Sequence, residues 1–85
     1  MKRVTFVIQA ENQTDVLLRV VALFHRLNVD IDGLHLVRRR GAGTMRLSVR
    51  VEAEQEHARR LEAHLYKVVQ VRSVEIKPEP NKAKS

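Results

Sequence analysis

Apolar residues recur along this chain with two alternating periods. From 3 to 9 (RVTFVIQ) the period is two: Val4, Phe6 and Ile8 fall on one face, Arg3, Thr5 and Gln9 on the other. That is the pattern of a strand with one buried face. Over residues 15–27, Val16, Leu17, Val20, Val21, Phe24 and Leu27 are spaced by one, three and four, which predicts a helix with a broad apolar stripe. Thr14 or Asp15 can cap its start, and Asn28 can close it in a left-handed conformation. Residues 29–38 (VDIDGLHLVR) return to a strand with Leu34 and Leu36 on its core face. RRGAG, at 39–43, supplies two glycines for a hairpin turn. Strict alternation follows over 44–52: Met45, Leu47, Val49 and Val51 point one way, Thr44, Arg46, Ser48, Arg50 and Glu52 the other. A second helix over 54–68 buries Ala58, Leu61, Leu65 and Val68. A last strand covers 69–76 (VQVRSVEI), and Pro78 and Pro80 end regular structure.

The order β-α-β-β-α-β repeats one strand–helix–strand unit. Right-handed crossovers fold it into a four-stranded antiparallel sheet with both helices on one face, the ferredoxin-like α+β plan. A chain of 85 residues has no room for a second core. One domain is therefore expected over 1–77, followed by a disordered tail at 78–85. The plan leaves a sheet face and the edge strands bare, and Thr5, Val7, Gly33, His35, Val37, Arg46 and Arg50 are predicted to share that open face. Such surfaces are commonly covered by a partner.

Composition narrows the classes. Hydrophobic residues are 44% of the chain, ordinary for a globular fold. There is no cysteine, hence no disulfide and no thiolate metal site, which suits a reducing cytosol. The first apolar stretch alternates and is too short for a signal peptide, and no run reaches membrane-span length, so a soluble cytoplasmic protein is expected. The formal net charge of +6 could draw nucleic acid, an anionic membrane or an acidic protein. With two Phe, one Tyr and no Trp, the chain lacks the aromatic platforms on which bases stack.

Candidate chemistry is thin. His57 and His64 are seven apart on the second helix, whereas metal-binding pairs on helices sit three or four apart. His25 lies late in the first helix, where a cation suits the dipole. Asp30 and Asp32 bracket Ile31, and alternation would put both carboxylates on one side, as an acid/base pair or a cation site requires. No nucleophile–base constellation and no glycine-rich phosphate loop accompanies them, so no catalytic residue, metal or cofactor is expected. Arg38, Arg39 and Arg40 at the hairpin tip, with Arg46 and Arg50 along the next strand, read either as a solvated turn or as a cationic strip that docks on an acidic patch of another protein. The turn ENQTD, which leads into the first helix, reads either as a capped helix start or as a place to hold a small anion.

LLRVVALFHRLNVDIDGLHL, residues 17–36, resembles the opening of ACT domains, above all those of the small regulatory subunit of acetolactate synthase. In that family a turn N-x-P/S-G leads into a helix L-S-R-V-x-G-L-F and then a strand G-Y-N-I-E-S-L. HLYKVVQVRSVEI, residues 64–76, is similar to the family's second landmark, L-x-K-L-V-D-V before the last strand. The likeness spans residues 3–76. It implies a non-catalytic, self-pairing subunit that binds and activates a large thiamine-diphosphate-dependent catalytic subunit in branched-chain amino-acid biosynthesis. Since the family's usual C-terminal domain is not in this sequence, the likeness is to the short form. A branched-chain amino acid, usually valine, binds between two such domains in many members. The corresponding positions here are Asn12, Gln13, Thr14, Asp15 and Val16, with Asp30 and Ile31. Asn12 and Ile31 match, but Asp15 stands where the family has a glycine and Asp30 where it has an asparagine. A carboxylate in the first helical turn stabilises the helix by about 0.3–1 kcal/mol and repels an incoming carboxylate by about 1 kcal/mol, so weak or absent valine feedback is expected. Two alternatives stand beside this reading: a free-standing amino-acid sensor of the same fold, and a ferredoxin-like nucleic-acid-binding domain that uses the arginines.

Overall fold

A computed structural model describes residues 2–78. Its elements are β1 (Lys2–Glu11), α1 (Thr14–Arg26), β2 (Ile31–Arg39), β3 (Thr44–Ala53), α2 (Gln55–Leu65) and β4 (Val71–Pro78), with a short 3-10 turn at Arg40–Ala42. The strands form one antiparallel sheet in the order β2-β3-β1-β4, the ferredoxin-like arrangement. The expected tail at 78–85 lies outside the described residues except for Pro78, which is the last residue of β4 and stands opposite Val4.

Period-two alternation sets the two faces of the sheet. Phe6, Ile8 and Ala10 of β1 and Met45, Leu47, Val49 and Val51 of β3 are fully buried. Against them pack Val16, Val20, Leu23 and Phe24 of α1 and Ala58, Leu61 and Leu65 of α2. The Phe6 and Phe24 rings meet edge to face, with centroids 5.4 Å apart. Among the described residues the core holds no polar or charged side chain.

Several boundaries differ from the sequence reading, each for a local reason. Neither Thr14 nor Asp15 caps α1: the N-cap is Gln13, without a side-chain cap bond. Asn28 does take the left-handed conformation, φ 62°. The N–H of Asn28 then donates to the His25 carbonyl and that of Val29 to the Phe24 carbonyl, which closes the helix as a Schellman turn. α2 stops at Leu65, and Val68 packs on the core from the turn that follows. Val69 sits in that turn and is 89% exposed, so β4 starts two residues later than expected. At the hairpin tip only Gly43 needs a glycine's backbone freedom, with φ 68°.

The two sheet edges are unlike. On β4, the Val74 N–H donates to the Tyr66 hydroxyl (3.0 Å), which donates in turn to the Val74 carbonyl (3.2 Å). One side chain from the end of α2 thus occupies both outward polar groups of Val74 at the middle of that edge. Tyr66→Phe removes this cover, and a loss of about 1 kcal/mol is expected. For a domain of this size that lowers the midpoint by about 4–8 °C in a thermal melt. An unchanged melt would mean that water serves the edge equally well. On β2, no side chain bonds the outer backbone among the described residues, and Leu34 is 49% exposed beside it.

Candidate functional site

The helix-entry turn is held from three sides. The Asn12 N–H donates to the Gly43 carbonyl (3.1 Å), which ties the turn to the β2–β3 tip. The Glu11 N–H donates to the Gln70 carbonyl (3.1 Å), which ties it to the start of β4. The Arg38 guanidinium donates to the Asn12 side-chain oxygen in a short, part-buried bond. Gln13 folds back on Glu11 through both its backbone N–H (2.8 Å) and its side-chain amide (3.4 Å). Asp15 faces solvent and lies 3.7 Å from Arg19, one helical turn on. It therefore does not occupy the free N–H groups of the helix start, and its effect on an incoming anion would be through charge alone.

Arg38 corrects the sequence reading of a single arginine strip. Its register partner is Met45, so it belongs to the helix side of the sheet with Leu34 and Leu36. Arg39, Arg46 and Arg50 lie on the opposite, open face, and Arg40 sits in the tip turn. The five arginines thus divide: one braces the helix-entry turn, three line the open face, one marks the tip.

Asp30 and Ile31 do not join Asn12, Gln13, Thr14, Asp15 and Val16 in one protomer. The helix-entry turn follows the rung Glu11–Thr44, while Ile31 stands opposite Val51. Seven positions of β3 separate these rungs, roughly 23 Å at about 3.3 Å per residue. Any single ligand touching both groups must lie between two copies of the chain.

The paired-carboxylate expectation also changes. The β2 register slips between Ile31 and Gly33, so Asp32 is the extra residue of a bulge and the simple alternation fails there. Asp30 and Asp32 still border one surface cleft of about 430 Å³, together with Asn28, Glu52, Glu54 and His57. His57 is committed elsewhere: its Nε2 donates to the Leu27 carbonyl (2.8 Å) at the end of α1. His64 Nδ1 likewise donates to the Arg60 carbonyl (2.9 Å) within its own helix. No group of three or more His, Asp or Glu side chains among the described residues is placed to hold a metal ion.

The βαββαβ order with strands arranged β2-β3-β1-β4 defines a ferredoxin-like fold, and solved ACT domains share it. The chain is similar to the acetolactate synthase small subunit of Thermotoga maritima, with a TM-score of 0.78 and 22% identity over 96% of this chain and 50% of that one. It is similar to the ACT domain of a GTP pyrophosphokinase from Chlorobium tepidum, with a TM-score of 0.75 and 16% identity over 88% of this chain and 96% of that domain. It also matches the C-terminal domain of the MgtC protein of Mycobacterium tuberculosis, with a TM-score of 0.74 and 13% identity over 100% of this chain and 95% of that domain. No family model and no curated protein sequence matches it. Likeness at these identities establishes the fold. No helix among the described residues is long and apolar enough to cross a membrane.

Proposed function

We propose that this chain is a non-catalytic regulatory subunit that pairs with itself and activates the catalytic subunit of an acetolactate synthase in the cytoplasm. The observation that carries the reading is the open β2 edge. Its outer backbone is uncovered, and Leu34, on its helix side opposite Val49, is half exposed. Pairing of two β2 strands would bury the Leu34 side chains of both copies and continue the sheet, as edge strands with apolar flanks do. The fold shared with an acetolactate synthase small subunit and the motif likeness of residues 17–36 and 64–76 support the choice of that enzyme.

Self-pairing also explains the separated effector positions. Antiparallel β2 strands bring the Asp30–Ile31 end of one copy towards the Asn12–Val16 turn of the other, so the candidate contacts converge only in the pair. Asp15 and Asp30 then add two carboxylates to that junction and disfavour an amino-acid carboxylate by about 1 kcal/mol each.

The test is reconstitution with a purified, thiamine-diphosphate-dependent acetolactate synthase large subunit under valine titration. Co-elution and a rise in turnover are expected, with turnover insensitive to millimolar valine. Failure to bind or activate any such subunit would overturn the reading. Strong valine inhibition would overturn the part assigned to Asp15 and Asp30.

A further inference from the structure

The open sheet face carries a cationic belt, and we infer that it is a docking surface for an acidic patch of a partner protein. Register fixes its rows. From the tip downward they run Arg39–Thr44–Glu11, Val37–Arg46–Gln9–Ser73, His35–Ser48–Val7–Glu75 and Gly33–Arg50–Thr5–Lys77. Ion pairs close the two ends: Arg72 with Glu11 (3.9 Å) and Arg3 with Glu52 (3.4 Å). Between them Arg39, Arg46 and Arg50 meet no carboxylate within ion-pair distance among the described residues, and Glu75 is the one acidic member of the inner rows.

The face is shaped for these side chains. A Cβ at Gly33 would stand 3.1 Å from Arg50 Nη2, so the glycine lets the guanidinium lie across the neighbouring strand. Arg46 and Arg50 are four positions apart, about 13 Å along the strand. Arg39, diagonal to Arg46, is about 8 Å from it. Half-buried Val7 and Val37 lie among them.

Chemistry selects the occupant. A second copy laid face to face would set arginines against arginines, which costs affinity. Nucleic acid would supply charge, but the rows contain no Phe, Tyr or Trp and His35 is their one aromatic ring, since Phe6 and Phe24 are buried in the core and Tyr66 bonds the β4 edge. A protein surface with carboxylates around a small apolar centre satisfies both the guanidinium forks and the valines. This deepens the regulatory reading by assigning the surface that would meet the partner, but the test needs no particular enzyme.

The full chain is titrated against fluorescent poly-L-glutamate and, separately, oligo-dT at low and moderate salt. The double variant Arg46→Glu with Arg50→Glu is compared with Arg59→Glu with Arg60→Glu, the same charge change on exposed positions of α2. Thermal melts check that each variant stays folded. The face variant is expected to weaken poly-L-glutamate binding by about tenfold or more, and the α2 variant by less than about threefold. Oligo-dT is expected to bind more weakly than poly-L-glutamate. Equal losses in both variants, no loss in the face variant, no binding at all, or tighter binding of oligo-dT would each overturn the proposal. Because the probe is independent of acetolactate synthase, a failed reconstitution and a failed docking face give different results.

Discussion

Phe24→Ala is expected to cost about 3–5 kcal/mol of stability. The side chain is fully buried and closes on Phe6 edge to face at 5.4 Å. Removing the ring loses apolar transfer energy, the aromatic pair and the dispersion contacts of a wall that cannot collapse, because Phe6 is pinned in the central strand pair β1–β3. A domain this small has a total stability near the low end of about 5–15 kcal/mol, so the variant should be partly unfolded at room temperature. A urea titration followed by far-ultraviolet circular dichroism reads this directly. A loss under about 1.5 kcal/mol would show that the core repacks around the space.

Leu34→Lys is expected to dissociate the proposed pair while leaving the protomer folded. Leu34 is 49% exposed in the single chain, so an isolated domain tolerates the lysine with its ammonium in water. In a β2–β2 pair the same substitution brings two like charges into the contact, at a cost on the order of 3 kcal/mol. At about 1.4 kcal/mol per tenfold, that weakens dimerisation by over a hundredfold. Sedimentation velocity at micromolar concentration should show a dimer for the natural chain and a monomer for the variant, with similar melting behaviour once concentration is allowed for. A natural chain that sediments as a monomer, or a variant that stays dimeric, would remove the β2 edge from the interface.

The architecture was legible because most of its strands and helices obey one period each. β3 is the clearest case: all four of its predicted core residues, Met45, Leu47, Val49 and Val51, are fully buried. β2 was misread where two periods meet. Val29 and Ile31 share one parity, Leu34, Leu36 and Arg38 the other, and the slip at Asp32 reconciles them. That change of parity was visible in the sequence, and it also marked Arg38 as a helix-side residue. The bond from Arg38 to Asn12 was not legible, since it joins positions 26 apart through a turn whose path only the fold determines. Nor was the role of Tyr66, whose hydroxyl meets an edge that exists only once β4 is paired. The α1 start was displaced by one residue because Thr14 and Asp15 both have capping chemistry, while Gln13 takes the extended backbone of the cap.

The Tyr66 hydroxyl has a bearing on how far assembly can proceed. A sheet with two open edges can add copies without end, whereas this one offers β2 and has the middle of β4, at Val74, already bonded by Tyr66. A symmetric β2–β2 contact consumes the open edge of both copies and leaves a β4 at each outer margin. The same small bond that secures a strand in one chain would then act as a terminator for the pair, limiting it to two copies and guarding it against fibrous growth.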